Sequence, residues 1–126
     1  MDIDLALRAI RNPARRRILH WLKCPKQHFP PPPLEHSETT GVRMVHIHAK
    51  SGLSQSTVSH YLNLLEQAGL IVRERHGSFV FFRRHESNIA LFIRALVVGL
   101  GPETPPTSDQ EGAERPPENG GAESET

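Results

Sequence analysis

The 126-residue chain carries 15 Lys and Arg, 14 Asp and Glu, eleven prolines and one cysteine, a composition that allows one domain of ordinary globular character. The formal charge of +1 hides an asymmetry: residues 1–100 hold 14 basic against 7 acidic side chains, a net of +7, and residues 101–126 hold one Arg against seven acids, a net of −6. A single thiol, Cys24, excludes an intramolecular disulfide framework and a multi-thiolate metal site within one subunit, and the basic body suits a polyanionic partner.

The N-terminus opens with acids and soon carries Arg8 and Arg11, which does not read as a secretory signal. Ile3, Leu5, Ala6, Leu7, Ala9 and Ile10 predict a short helix with much of its surface covered. Asn12-Pro13 is a break and a restart, because Asn caps a helix and Pro fits its first position. The next helix, residues 13 to about 23, turns Ala14, Ile18, Leu19 and Leu22 inward. Arg15, Arg16 and Arg17 stand near its start, where three cations oppose the helix dipole. A group outside the helix should therefore compensate them, either a phosphate or an acid of the fold. Pro25 ends this helix. Residues 24–41 include Pro30, Pro31, Pro32 and Pro33 in succession and show no periodicity, so they are expected to form an exposed, partly polyproline loop. Residues 42–45 read as a short strand leading into a helix through about Lys50, with Ile47 and Ala49 packed inward.

Residues 51–65 read as a tight turn followed by a helix. Ser54 is well placed as its N-cap. At about 100° per residue, Val58, Leu62 and Leu65 share one narrow stripe, the expected buried face. Ser56, Ser59, His60, Asn63 and Gln67 gather opposite it, on short stems and without an acid. A surface of that kind can approach base edges in a major groove without electrostatic penalty. Gly69 stops the helix in a C′ position, and a helix-turn-helix reading follows.

Residues 70–75 and 79–84 are β-prone runs joined through His76-Gly77-Ser78, a hairpin signal. Arg73 and Arg75 share one face of the first run, and Arg83 and Arg84 end the second. Beside a recognition helix, a basic hairpin is a wing whose tip lies along the sugar–phosphate backbone or in the minor groove. Ser87 is the expected cap of a last helix over residues 88 to about 98. Ile89, Leu91, Phe92, Ile93, Leu96, Val97 and Val98 make it apolar almost all round, and a symmetric partner subunit is the economical cover. The longest apolar run, residues 89–100, is interrupted by Arg94 and is too short to cross a bilayer. The expectation is a soluble, cytoplasmic protein. From Gly101 onward, five prolines, four glycines and seven acids leave too little apolar surface to fold. That stretch is expected to be a disordered acidic tail, acting as an internal competitor for the basic body or as a solubiliser.

The chain resembles the ArsR-type (ArsR/SmtB-like) winged helix-turn-helix repressors of bacteria. The matching pieces are Asn12-Pro13-Ala14-Arg15-Arg16-Arg17-Ile18-Leu19, Gly52-Leu53-Ser54-Gln55-Ser56-Thr57-Val58-Ser59-His60-Tyr61-Leu62, Leu65-Glu66-Gln67-Ala68-Gly69-Leu70-Ile71 and the hairpin Arg75-His76-Gly77-Ser78-Phe79-Val80-Phe81-Phe82-Arg83. The resemblance covers about residues 3–98 apart from the proline loop. It implies a homodimer whose first and last helices form the interface, with Leu5, Ile89, Phe92, Ile93 and Leu96 at it. It also implies binding to a pseudo-palindromic operator as a repressor released by a signal. Two departures stand out. The Cys-Val-Cys-type metal motif on the helix before the recognition helix is replaced by Val45-His46-Ile47-His48-Ala49. The Asp and His residues of a second metal site have no counterpart on the last helix.

The expected architecture is mainly α (α+β), a winged helix-turn-helix with a two-stranded wing and terminal dimerisation helices over residues 1–100, including the loop at 25–41, followed by the tail at 101–126. For DNA contact, Gln55, Ser56, Ser59 and His60 would meet base edges or nearby phosphates, with Thr57 beside them and Asn63 extending the face. Ser54 and the helix N-terminus favour phosphate. Lys50, Arg73, Arg75, His76 and Arg83 would supply backbone charge. No cofactor is expected, and enzyme signatures are missing: there is no phosphate-cradling Gly-rich loop and no His-Glu-x-x-His. Two other readings stay open. Cys24, His28 and His36 lie around the loop and could converge as a metal or redox sensor, with a metal, an oxidant or a small molecule as effector. Alternatively, the wing and tail could bind a protein in place of DNA.

Overall fold

In the computed structural model, which describes residues 1–103, Asp2 Oδ1 accepts from the amides of Asp4 (3.0 Å) and Leu5 (3.2 Å) and so starts α1 (Ile3–Ile10). Asn12 repeats the device: its Oδ1 accepts from the amides of Ala14 (2.8 Å) and Arg15 (3.3 Å), and α2 (Pro13–Lys23) begins on the proline. The restart at Asn12-Pro13 is therefore as the sequence predicts. Ile18 and Leu22 are buried, while Ala14 and Leu19 are half-buried. Arg15, one of the three cations at the start of α2, is also buried.

The stretch over residues 24–41 is the expected exposed loop only in part: residues 30–33 form no regular structure and Leu34 is exposed, but the rest is not structureless. Pro25–His28 forms a single-turn helix, α3, and Leu34–His36 a 3₁₀ turn. Phe29 is buried, edge-on to Trp21 with ring centroids 6.4 Å apart. Aromatic anchors spaced without a period hold this segment down, which is why periodicity did not find them. Residues 42–45 differ as well. Only Val42 pairs, exchanging two 2.8 Å backbone bonds with Phe82. Helix α4 (Met44–Ser51) starts two residues later. Ile47 is buried but Ala49 is exposed; two positions apart on a helix is about 200°, so both cannot face inward.

Gly52, in the left-handed conformation at φ +72°, turns the chain from α4 into α5 (Gln55–Gln67). Ser54 Oγ accepts from the Thr57 amide at 3.2 Å, and Val58, Leu62 and Leu65 are buried as the stripe predicts. Helix α5 packs on α4 and on α1, where the small side chains Ala6 and Ala9 are fully covered. At its end Gly69, φ +78°, bonds to the Glu66 carbonyl (2.9 Å) and Leu70 to that of Leu65 (3.0 Å), a Schellman closure.

The hairpin is β1 (Ile71–His76) with β2 (Phe79–Arg84), antiparallel, with His76 opposite Phe79 and Ile71 opposite Arg84. Paired residues share a face, so Val72, Glu74, His76, Phe79, Phe81 and Arg83 lie on one side and Ile71, Arg73, Arg75, Val80, Phe82 and Arg84 on the other. Phe81 and Phe82 point to opposite sides, yet both are buried. His36 packs edge-on against the ring of Phe79 at 5.3 Å and tilted against that of Phe81 at 5.5 Å, so the proline segment covers one side of the wing. At the root, Arg84 bonds the Leu19 carbonyl (3.2 Å) and pairs with Glu86 (2.9 Å).

Helix α6 (Glu86–Leu100) starts before the expected Ser87 cap: His85 Nδ1 accepts from the Asn88 amide at 3.2 Å. The chain divides after Ile93 into two units. In the first, Leu91 and Ile93 are exposed, Leu5 and Ile89 are half-buried, and Phe92 is buried. Phe92 was expected at a subunit interface, but its own chain already covers it; with Ile10, Leu19, Leu70, Ile89 and Ile93 it lines a hollow of about 290 Å³. In the second unit Val97, Val98 and Leu100 are exposed and Leu96 is half-buried. Among the described residues no helix is long and apolar enough to cross a membrane. The acidic tail expected over 101–126 lies outside the described residues from 104 onward.

Candidate nucleic-acid interface

Helix α5 presents Gln55, Ser56, Ser59, His60 and Asn63 to solvent, all expected on that face. The cap organises its first turn. Ser54 Oγ lies 2.8 Å from Thr57 Oγ1 and 3.3 Å from Ser56 Oγ, so Ser54 and the half-buried Thr57 are engaged with each other. Among the described residues, the side chains of Gln55, Ser59 and His60 make no hydrogen bond within the protein. None is an acid and their polar groups are free to bond elsewhere, which is the chemistry base-edge readout requires. Asn63 keeps its amide nitrogen free, while its Oδ1 accepts from Arg73 Nη2 at 3.0 Å. Lys50 is exposed near the start of this helix, its ammonium 5.3 Å from the Trp21 ring centroid.

The wing cations are placed differently. Arg73 pairs with Glu66 on α5 at 2.9 Å and lies over the Phe82 ring at 5.1 Å. Arg83 Nε donates to Glu74 Oε2 at 2.8 Å. That hydrogen bond, with the charges of Arg83 and His76, holds the Glu74 carboxyl below its ordinary value. His76 does not face outward as a phosphate contact would. Its ring packs 5.4 Å from Phe81 and 5.8 Å from His36, and its buried Nε2 has no hydrogen bond, with Glu74 at 3.7 Å. Arg75 is exposed and has no ion pair among the described residues. Sequence reasoning missed Glu66 and Glu74 as neutralising partners. The signal was present for Glu74: counting back from the two-residue turn puts it diagonally across from Arg83 on one face, a pairing distance for long side chains.

The loop candidates do not converge. Cys24 is exposed. His28 sits beside His20, ring centroids 5.8 Å apart, and partial burial, aided by the Lys50 charge and His20, holds its pKa below the usual value. His36 is committed to the wing. Among the described residues no three His, Cys, Asp or Glu side chains gather into a group able to hold a metal ion.

The chain is 42% identical over 82 residues to the uncharacterized HTH-type transcriptional regulator YbzH of Bacillus subtilis (strain 168), an alignment spanning 65% of this chain and 82% of that protein. The chain belongs to the helix-turn-helix transcriptional regulators. The family model of the IclR helix-turn-helix domain matches residues 36–75 of this regulator, from the 3₁₀ turn through α4 and α5 into β1. Solved structures bear out its winged helix-turn-helix fold. One is the crystal structure of a possible transcriptional regulator for arsenical resistance (TM-score 0.57, 23% identity, 77% of this chain and 84% of that one). Another is the homodimeric winged helix-turn-helix DNA-binding domain of a possible ArsR-family transcriptional regulator from Mycobacterium bovis (TM-score 0.52, 24% identity, 76% of each chain). The regulator thus carries its helix-turn-helix on α4 and α5 and its wing on β1 and β2. The matched family model is of the IclR domain, where the sequence resemblance named the ArsR type.

Proposed function

We propose that the protein is a homodimeric, cytoplasmic repressor of the ArsR type, binding a pseudo-palindromic operator and leaving it in response to a signal. The observation that carries this reading is the outer face of α5, where Gln55, Ser59 and His60 stand exposed with their hydrogen-bonding groups unused. In this reading those three, with Ser56 and Asn63, read bases in the major groove. Arg75 and Lys50 bind phosphate from the wing and from the end of α4. Arg73 joins them when a phosphate draws it from Glu66, since a surface pair of that kind is worth at most about 1 kcal/mol.

Dimerisation is supported by the exposed apolar side chains Leu91 and Ile93, and Val97, Val98 and Leu100, and by the homodimeric description of the M. bovis domain. Two recognition helices about 34–36 Å apart meet successive half-sites. A signal that changes the angle between them loses that spacing and the operator with it. The reaction is binding alone; no catalytic role enters.

Two measurements test this. Sedimentation should give a dimer, and selection from a random pool of DNA duplexes should return a sequence with twofold symmetry. A monomer at all concentrations, or recovery of no preferred sequence, overturns the reading.

A further inference from the structure

The three arginines at the start of α2 raise a question that neither phosphate nor acid answers. Arg15 is 8% exposed and pairs with no carboxylate among the described residues. Its Nε donates to the Ala9 carbonyl at 2.7 Å and its Nη2 to that of Arg8 at 3.0 Å, while Arg16 Nη1 donates to the Ile10 carbonyl. These are the orphan carbonyls at the end of α1, the negative end of its dipole. Two of the three α2 cations, Arg15 and Arg16, are therefore compensated by another helix's terminus, while Arg17 is exposed.

Arg15 has a second contact. Its guanidinium carbon lies 4.9 Å from the ring centroid of Tyr61, on α5. The Tyr61 hydroxyl in turn accepts from Asn12 Nδ2 at 3.3 Å, and Asn12 is the residue that caps α2. Tyr61 is thus gripped from two sides by the α1–α2 corner. It follows His60 directly and sits on the flank of α5, between the buried stripe and the exposed face. That flank matters because the stripe, Val58, Leu62 and Leu65, is aliphatic. Apolar burial is non-directional and resists rotation of α5 about its own axis poorly. Cation–π and hydrogen-bonded contacts have preferred directions.

We infer that Arg15 and Asn12, acting through Tyr61, fix the rotation of the recognition helix and are positioning residues for sequence-specific DNA binding. The inference rests on α5 being the helix that reads DNA. Directional contacts are spoiled by errors of about 10–20°, so loosening this grip should reduce the preference for one sequence while sparing the charge-driven binding to any duplex.

The test compares wild-type protein with Arg15→Met, Tyr61→Leu, Tyr61→Phe and the double variant Arg15→Met/Tyr61→Leu, each checked for folding by its thermal melt. Each is titrated with a duplex that the wild type selects from a random pool and with a scrambled duplex of equal length. Arg15→Met and Tyr61→Leu should each lower the ratio of the two affinities about tenfold, with scrambled-duplex binding unchanged within about twofold. The double variant should lose little more than either single one, because one contact is lost in both. Tyr61→Phe, which keeps the ring, should lose about threefold. A lowered melt with an unchanged ratio in the Tyr61 variants makes Arg15 only a cap for α1 and overturns the proposal; these variants also carry the test if Arg15→Met does not fold. Hydrogen exchange of the DNA-free protein separates the two layers of argument. Faster exchange along α5 in Tyr61→Leu than in wild type supports the grip even if no duplex is selected, in which case the functional reading fails alone. Unchanged exchange overturns the grip itself.

Discussion

Along α5, Gln55, Ser59 and His60 are exposed with nothing to bond to inside the chain, whereas on the adjoining wing Arg73 and Arg83 each lie within 3 Å of a glutamate oxygen. Both regions bring polar side chains to the surface, those of α5 and Arg73 exposed and that of Arg83 half-buried. What separates them is reach. A short side chain on a helix reaches no further than its own turn, as Ser51 Oγ does to the His48 carbonyl at 2.9 Å, while an arginine on a strand can find an acid one register step or one element away. Exposed charge in a sequence is thus a poor measure of charge available to a ligand, and exposed short polar groups are a better one.

The largest effect expected is on the hidden side of α5. Leu62→Ala should cost about 2–5 kcal/mol in denaturant unfolding; a loss under about 1 kcal/mol would mean the stripe is not the core of that helix. On the free side, His60→Ala should leave the melt unchanged and weaken the selected duplex by about 1–3 kcal/mol at one base position, and no loss would place His60 outside the contact. The wing sharpens the contrast. Arg75→Ala should reduce the slope of log affinity against log salt by about 1, and Arg73→Ala by less, because Glu66 already neutralises it in part. Equal changes would erase the difference drawn between the two arginines. In the turn that feeds α5, Gly52→Ala should cost about 1 kcal/mol through the backbone alone, since φ is +72° and no atom lies within 4 Å of the added Cβ. A neutral result would show the turn adapting.

The smallest effect concerns Glu74. Its carboxyl is held low by the Arg83 hydrogen bond first, so the folded chain favours the carboxylate. The stability this adds is present above the ordinary carboxylate pKa and is lost as the pH falls through the lowered one. The melting difference between wild type and Glu74→Gln should be small at neutral pH and vanish in acid; a difference that persists in acid points to packing instead.

The starts of α2 and α5, the stripe of α5, the Gly69 stop and the hairpin were legible because each depends on residues a few positions apart. Asn12 and Ser54 cap where expected, whereas the hairpin turn is Gly77-Ser78 and His76, expected in the connection, belongs to β1 and pairs with Phe79. What stayed hidden depended on distant partners. His36 gave no sign that it would lie on Phe79 and Phe81, and nothing local distinguishes Arg15, which is buried, from Arg17, which is exposed. Phe92 looked like its apolar neighbours on α6, yet it alone among Leu91, Phe92 and Ile93 is covered by its own chain. Cys24, His28 and His36 were close in sequence along a proline-rich segment whose course periodicity could not trace, and they end beside different neighbours.

The turn at Gly69 has a mechanical side. Its carbonyl receives Asn88 Nδ2 at 3.0 Å, and the next carbonyl, of Leu70, receives the amide of His85 at 2.9 Å. The turn that closes α5, the residue before β1 and the first turn of α6 are therefore pinned at one knuckle. A displacement at the start of α6 would thus bear on α5 and on the wing through the same two carbonyls, as one hinge pin serves two leaves.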